Sequence, residues 1–287
     1  MAIATGAGHS GQVSYRPATA DSRTVLVYGA YGHTGRFVVA ELERHGVPAV
    51  LAGRSASKLE ALRGGHPDLE RRCVDIADPD GLDRAMVGMD AVINCAGPFL
   101  DTAWPIASAA IRSGIGYLDI AAEQPSTLRL FEDLDPAARS AGVTVLPAMG
   151  FFGALGDLLV TAALDDWTDA ESVEVATALA GWEPTAGTLE TGQRNIEPHR
   201  AVRSGRLAPE DRSWTAARDF PAPLCTQELV ALSLAETILI HRHLRAAEVH
   251  ACINRSALAD LSNPSVARRD TGPGASTGGC RSWSRSR

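Results

Sequence analysis

Residues 24–36 of this chain read TVLVYGAYGHTGR, an apolar run followed by three glycines at a spacing of three residues. The apolar run is typical of a buried parallel strand, and a helical pattern follows the last glycine. The spacing G-x-x-G-x-x-G is a variant of the dinucleotide fingerprint, in which glycines allow a tight turn and a close approach to a pyrophosphate. A glycine-rich turn without a ligand is the alternative. The residues expected to contact a dinucleotide here are Gly29, Tyr31, Gly32, His33, Thr34 and Gly35.

Strand-like and helix-like stretches alternate from this turn to about Gly150. The expected strands are Thr24–Tyr28, Ala49–Ala52, Arg72–Ile76, Ala91–Cys95, Tyr117–Ile120 and Val143–Leu146. The expected helices are Arg36–Arg44, Ser57–Leu62, Pro79–Met86, Trp104–Arg112 and Leu128–Arg139. Strand–helix–strand repeats need crossover connections, which produce a parallel sheet covered on both faces. The sequence therefore predicts an α/β fold, a Rossmann-type doubly wound parallel sheet, over residues 23–150.

The alternation ends after Gly150, and a smaller α+β second domain is expected over residues 151–266. Its expected elements are a helix at Ala154–Leu164, a strand at Ser172–Ala178, a long helix at Gln227–Leu244 and a strand at Val249–Ile253. This domain is interpreted as a wall for substrate binding or as a dimerisation unit. The apolar stripe of the long helix is expected to pack inside its own domain, with a homodimer contact as the alternative.

The two ends of the chain have few apolar residues. Residues 1–22 and 267–287 are rich in Gly, Ser and Thr, a composition that buries too little apolar surface to offset the entropy of ordering, so both are expected to be disordered tails. No Leu, Ile or Val occurs beyond Val266. This abrupt change motivates the hypothesis of a frame-shifted or truncated terminus, which reading the coding DNA in the other two frames tests.

The composition excludes several classes of function. The 287 residues carry 34 acids and 27 bases, a net charge of −7, so the basic footprint of a nucleic-acid-binding protein is absent and no nucleic acid is expected as a partner. No apolar stretch approaches the roughly 20 residues needed to cross a membrane. The five cysteines are scattered without metal-ligand spacing, so no metal is expected. Reduced thiols and the lack of a secretory pattern favour a cytoplasmic location.

Lysine usage excludes two mechanisms. Lys58 is the single lysine of the chain. Schiff-base chemistry therefore has almost no candidate residue. The Tyr-x-x-x-Lys pair of short-chain dehydrogenases is absent as well, because the residue four positions before Lys58 is Arg54.

The end of the second strand indicates which dinucleotide is bound. A carboxylate at this position bonds the ribose hydroxyl of NAD, whereas a cation accommodates the 2′-phosphate of NADP. Here the sequence has Arg54, Ser55 and, one turn later, Lys58, and no acid. A guanidinium, a hydroxyl and an ammonium suit a phosphate, so NADP (NADPH) is the predicted cofactor. An exposed basic loop with a helix cap is the alternative.

Two further strand ends are expected to contact the cofactor. Asp75 and Ile76 end the third strand and suit the amino group and the flat face of an adenine, although Asp75 could equally cap a turn. The small residues Ala96 and Gly97 follow the fourth strand. A dinucleotide lies across the strand tips of such a sheet at this position.

Four segments together resemble a known family. They are Val27–Gly35, Leu51–Leu59, Val92–Phe99 and Gly116–Ile120, the last with Glu123 after it. The first 150 or so residues are similar to the NADP-binding domain of the saccharopine dehydrogenase-like oxidoreductases, a family that includes trans-acting enoyl reductases. The resemblance implies hydride transfer with NADPH on a Rossmann domain joined to an α+β domain. Family members usually continue past the end of this chain.

The leading hypothesis is an NADP-dependent oxidoreductase acting on a small-molecule carbonyl, imine or enoyl substrate. Its candidate proton donors are Tyr117 and Asp119, near the end of the fifth strand, and His199, in an irregular stretch expected to line a pocket. A non-catalytic NADP-binding sensor of the NmrA type is the alternative, since no catalytic dyad is evident. A structural remnant without turnover is a third hypothesis.

Overall fold

The computed structural model describes residues 23–261, and both expected tails lie outside these residues. The first unit contains six strands, β1 to β6, and five helices, α1 to α5. The strands are Val25–Tyr28, Ala49–Gly53, Arg71–Cys73, Ala91–Asn94, Gly116–Asp119 and Val145–Leu146. The helices are His33–Arg44, Ala56–Glu60, Pro79–Ala85, Phe99–Ser113 and Gln124–Ala141.

The six strands form one parallel sheet in the order β3-β2-β1-β4-β5-β6. Leu26, Val27, Leu51 and Val92 have no exposed surface because helices cover both faces. The strand order reverses between β1 and β4, and ligands of such sheets bind beyond the carboxyl ends of the strands at this reversal. The predicted Rossmann-type fold is confirmed.

Helix boundaries in this unit follow local chemistry. The carboxylate of Asp78 accepts a 2.9 Å hydrogen bond from the Gly81 N–H at the start of α3, and Pro79 occupies its first turn. Helices α4 and α5 end at Gly114 and Gly142, whose left-handed backbone glycine adopts without strain. The start of α3 at Pro79 is the one that the sequence predicts.

The second unit contains four helices, α6 to α9, and six strands, β7 to β12. A turn of π-helix at Phe151–Leu155 leads into α6, Gly156–Leu164. The other helices are Ala186–Arg194, Ala235–His243 and Arg255–Asp260. The strands are Asp169–Thr177, Arg200–Arg203, Arg206–Pro209, Thr215–Asp219, Thr226–Ala231 and Arg245–Asn254. Strand β12 is central: it pairs in parallel with β7 and antiparallel with β11 and β8.

The prediction of one long helix over Gln227–Leu244 is wrong for its first part. Residues 226–231 form β11, which pairs with β10 and β12, and the helix α8 begins only at Ala235. The apolar residues of this stretch have a helical spacing, but strand pairing on both sides stabilises the extended form. Tertiary contacts of this kind commonly outweigh a local sequence pattern. Most apolar residues of this stretch, such as Leu229 and Ile238, are buried inside their own domain, as expected.

The amide of Gln124 joins the two units. Its Nε2 donates to the carbonyl oxygens of Arg200 and Leu234 at 2.8 and 3.0 Å, and its Oε1 accepts from the Arg200 N–H at 2.8 Å. Nearby, the guanidinium of Arg242 lies 3.9 Å from the centre of the Phe131 ring. These contacts hold the second unit beside the carboxyl edge of the parallel sheet. Within residues 23–261 no helix is long and apolar enough to cross a membrane.

Candidate functional site

The glycine-rich turn lies between the end of β1 and the start of α1, beside the residues that follow β4. Gly29 has a φ of +81°, and a Cβ at this position would lie 2.9 Å from the backbone nitrogen of Ala96. Both observations exclude a larger residue. The turn is therefore held against the strand tips where the strand order reverses.

The N-terminus of α1 directly follows the glycine-rich turn. Gly32 precedes the helix and has no side chain to cap it, and the first turn of α1 contains no acidic residue. The first N–H groups of any helix lack intrahelical partners and lie at the positive end of its dipole. This geometry suits a diphosphate. Tyr31, His33 and Thr34 belong to the same turn, and the backbone oxygen of Tyr31 accepts a bond from Arg36 Nε at 3.1 Å.

The predicted phosphate-binding cations lie beside this turn. The ring of Tyr31 packs on Gly53, where an added Cβ would come within 2.6 Å of the ring. The ammonium of Lys58 lies 5.6 Å from the centre of the same ring, and the exposed Arg54 directly follows Gly53. The hydroxyl of Ser55 caps α2 by accepting the Lys58 N–H at 3.4 Å. The fold thus gathers Tyr31, Arg54 and Lys58 at the end of β2, and the helix cap considered as an alternative is also present.

The third strand ends at Cys73, so Asp75 and Ile76 lie just after β3 and do not end it as predicted. Asp75 is exposed, and its carboxylate accepts the Ala77 N–H at 2.9 Å, which is the turn cap considered as an alternative. Ile76 is half-buried against the core. Beneath them Tyr28, which sequence reasoning missed, donates its buried hydroxyl to the Val74 oxygen at 3.0 Å. Burial and the charge of Asp75 raise the pKa of Tyr28. The adenine role of Asp75 and Ile76 stays a prediction.

The residues after β4 face the second unit. Ala96 donates its N–H to Asn94 Oδ1 at 3.0 Å and accepts a 2.6 Å bond from the Thr102 hydroxyl. Gly97 is exposed, and a Cβ there would lie 3.4 Å from the Thr191 hydroxyl of α7. Helix α7 therefore lies directly over the predicted cofactor path at the end of β4.

Tyr117 and Asp119 have no exposed surface. The Tyr117 hydroxyl donates to Asp119 Oδ2 at 2.7 Å, and Asp119 Oδ1 accepts the N–H groups of Ala121 and Ala148 at 2.9 and 2.7 Å. Burial raises the pKa of both side chains. Their contacts secure the ends of β5 and β6 from inside the sheet, which favours a structural role. Proton donation by either residue stays a prediction.

Two further polar residues belong to this buried network. Asn94 Nδ2 donates to the hydroxyls of Thr102 and Tyr117 at 3.1 and 3.3 Å. Glu123 accepts the first N–H of α4, that of Phe99, at 3.0 Å, because Pro98 before the helix cannot cap it. The signals available in the sequence were a polar residue at the end of the buried strand β4, Asn94, and an acid directly before α5, Glu123.

His199 lies in the second unit, away from Tyr117 and Asp119. Its Nδ1 is 3.8 Å from Glu210 Oε2, and burial lowers its pKa. It lines a cavity of about 740 Å³ whose apolar walls include Leu189, Val230 and Leu258. Residues 188 and 192 of α7 line this cavity, whereas Thr191 of the same helix faces Gly97. The structure therefore places His199 in a pocket, as predicted, and separates it from the glycine-rich turn by α7.

Glu236, at the start of α8, is a buried carboxylate that sequence reasoning missed. It is 3% exposed, and its Oε1 accepts the Leu234 N–H at 2.8 Å. Within residues 23–261 its Oε2 has no hydrogen-bond partner. Burial, with a smaller effect from the charge of Glu210, raises the pKa of Glu236 from 4.5 to about 7.

Because this pKa is raised, the folded state binds more protons than the unfolded chain between pH 4.5 and 7. The contribution of Glu236 to stability is therefore complete below pH 4.5 and is lost as the pH rises through 7. We expect Glu236→Gln to remove this loss and to be more stable than the wild type by about 2 kcal/mol at mildly alkaline pH. Urea unfolding of both proteins across this pH range measures the difference. Parallel pH profiles for the two proteins would contradict the assignment.

The fold and this turn define a dinucleotide-binding Rossmann domain. Residues 25–146 match the family described as "Saccharopine dehydrogenase NADP binding domain". The resemblance of this domain to the saccharopine dehydrogenase-like oxidoreductases, seen in the sequence, is confirmed.

Two curated relatives are similar in sequence to this domain, and one solved structure shares the fold. The human "Saccharopine dehydrogenase-like oxidoreductase" is 33% identical over 153 residues, covering 47% of this chain and 35% of the relative. The "Trans-acting enoyl reductase" of Mycobacterium bovis is 25% identical over 142 residues, covering 47% and 34%. The apo structure of saccharopine dehydrogenase (L-Glu forming) from Saccharomyces cerevisiae superposes with a TM-score of 0.60 at 16% identity, covering 82% of this chain and 56% of that one. The matched part of the chain spans about a third of the two curated relatives.

Proposed function

We propose that this chain is an NADP-dependent oxidoreductase that transfers a hydride between NADPH and a small carbonyl, imine or enoyl substrate. The observation that carries the proposal is the uncapped N-terminus of α1 behind Gly29, with cations and no carboxylate at the end of β2. The family description and the oxidoreductase names of the relatives support it.

The residues present fit the cofactor. The turn Gly29–Gly35 would hold the diphosphate, because Gly29 brings the backbone close and the positive end of the α1 dipole follows Gly32, which has no capping side chain. Arg54 and Lys58, with Ser55, would bind the 2′-phosphate, and Asp75 with Ile76 would contact the adenine. The small residues Ala96 and Gly97 would leave room for the cofactor to cross the end of β4. Bound NADPH would supply the hydride, and the protein would position the cofactor.

A non-catalytic NADP-binding sensor is the second candidate function. The observation in its favour is that Tyr117 and Asp119 are buried inside the sheet while His199 lies beyond α7. Tyr117 and Asp119 are engaged in hydrogen bonds inside the sheet, and α7 lies between His199 and Gly97. Incubating the protein with NADPH and carbonyl, imine or enoyl compounds separates the two functions. Only an oxidoreductase oxidises NADPH, and the absorbance of NADPH then falls.

Cofactor preference tests the phosphate site. We expect fluorescence titration to give tighter binding of NADPH than of NADH, and Arg54→Glu to weaken NADPH binding at least tenfold, because a carboxylate there repels the 2′-phosphate. Arg44→Glu is the matched control: it makes the same charge change at the far end of α1, where Arg44 pairs with Glu41 at the surface. A tenfold preference for NADH, or equal effects of the two substitutions, would overturn the role of Arg54.

A further inference from the structure

The cavity of about 740 Å³ beside α7 has the size and the walls of a small-molecule site. Leu189 of α7, Val230 of β11 and Leu258 of α9 supply apolar walls from three different elements. Pockets for small organic molecules have volumes of roughly 300–1,000 Å³ and mainly apolar walls, with a few polar groups that orient the ligand. The polar groups of this cavity therefore indicate which ligand chemistry it accepts.

The buried polar pair of the cavity is already satisfied by the protein. The side chain of Glu210 is 3% exposed, and its Oε1 accepts the Ser233 N–H at 2.6 Å. His199 lies beside the other carboxylate oxygen, and burial lowers its pKa, so the imidazole is uncharged at neutral pH. A neutral ring and a carboxylate that already has a backbone donor do not require a charged ligand.

Two guanidinium groups lie at the opening of the cavity, since Arg212 and Arg255 both line it and are exposed. Arg255 is paired, with its Nη2 at 2.8 Å from Glu228 Oε1. Within residues 23–261 the guanidinium of Arg212 has no hydrogen-bond or ion-pair partner. A guanidinium presents its N–H groups as a fork that matches the two oxygens of a carboxylate. The opening therefore favours an anionic group next to apolar walls.

We propose that this cavity binds a small amphipathic carboxylate, with the carboxylate on Arg212 and the hydrocarbon chain along the apolar walls. Helix α7 lies between the cavity and Gly97, so this site is separate from the dinucleotide turn. The proposal does not rest on the proposed oxidoreductase function, and binding is measured without NADPH. Failure of one proposal therefore leaves the other standing.

Calorimetric titration of the full chain with octanoate tests the ligand class. 1-Octanol and octylamine are the comparison probes, because they have the same chain with no charge or the opposite charge. We expect octanoate to bind with a Kd of about 0.1–1 mM, as suits a ligand of roughly ten non-hydrogen atoms. Octanol should bind about fivefold more weakly, because it lacks the ion pair with Arg212, and octylamine no more tightly than octanol.

Arg212→Gln tests the position of the carboxylate. We expect this variant to bind octanoate about fivefold more weakly and octanol as the wild type does, since only octanoate loses an ion pair. Arg206→Gln is the matched control, because Arg206 is also exposed and belongs to the same unit but lies on β9, outside the cavity. It should leave both affinities unchanged.

Gly192→Leu tests the position of the hydrocarbon chain. Gly192 lines the cavity, and a Cβ there would meet nothing within 4 Å, so a leucine enters the cavity without displacing the backbone. We expect octanoate and octanol both to bind about tenfold more weakly, because the leucine excludes about two methylene groups of either ligand. Gly187→Leu is the control on the same helix: its Cβ would make an ordinary 3.7 Å contact with Thr185 Oγ1, outside the cavity.

Circular dichroism and thermal unfolding check that all four variants are folded. A wild type that binds none of the three probes overturns the proposal. Equal affinities for octanoate and octanol overturn the assignment of a carboxylate, as do equal effects of the substitutions at Arg212 and Arg206. Equal effects of the substitutions at Gly192 and Gly187 place the ligand outside this cavity and overturn the proposal as well.

Discussion

Gly35→Ala is expected to lower the free energy of unfolding by about 3 kcal/mol or more and to weaken NADPH binding, because the new Cβ overpacks a tight backbone contact. A Cβ on Gly35 would lie 2.2 Å from the Gly29 oxygen and 2.9 Å from the Ala30 Cα. These neighbours are backbone atoms, which cannot rotate away as a flexible side chain can. Helix α1 must therefore move off β1, and its N-terminal amides move with it.

Chemical denaturation and NADPH titration of the same variant measure both effects. Gly64→Ala is the matched control, because a Cβ there meets nothing within 4 Å and φ is not positive. Its stability should stay within about 0.5 kcal/mol of the wild type. Wild-type stability in Gly35→Ala would contradict the close packing of α1 on β1.

Asp119→Ala is expected to lower the free energy of unfolding by about 4 kcal/mol, because three buried donors lose their acceptor at once. They are the N–H groups of Ala121 and Ala148 and the hydroxyl of Tyr117. Ala148 has a φ of +60°, a strained conformation for alanine that the carboxylate of Asp119 helps to hold. The loss should therefore loosen the connection that leads into the π-turn.

Asp119→Asn is the control that separates structure from catalysis. Its remaining carbonyl oxygen can still accept the two N–H groups, so we expect a much smaller loss of stability and unchanged NADPH affinity. Turnover at the wild-type rate in this variant would support the structural role of Asp119. A stable variant that binds NADPH but no longer consumes it would instead support proton donation.

The fold of the first unit could be predicted from the sequence because the patterns that specify it span only a few neighbouring residues. The apolar run before Gly29 and the glycine spacing encode a strand, a turn and a helix within thirteen residues. Caps such as Asp78 with Pro79 lie within one turn of the helix they begin. Because these patterns act over a few residues, contacts with distant parts of the chain changed little of the structure that they specify.

The second unit was less accessible, because its sheet is assembled from distant segments. Leu229 pairs with Asn254, and Val249 pairs with both Val173 and Val202. The stretch from residue 183 to 223, which had weak periodicity, contains α7 and three strands. Short amphipathic strands and a half-exposed helix show little hydrophobic periodicity in the sequence. Their secondary structure therefore depends on the segments with which they pair.

From the order of its residues alone this chain specifies a Rossmann-type domain and a basic, acid-free position beside its glycine turn. Folding in three dimensions established the rest: it enclosed Tyr117 and Asp119 inside the sheet, inserted α7 between the turn and His199, and left one side of α6 in water. The physical reason is the separation along the chain between the residues that interact. Turn chemistry and helix caps depend on neighbours along the chain, whereas burial and the meeting of side chains depend on contacts between residues far apart in it.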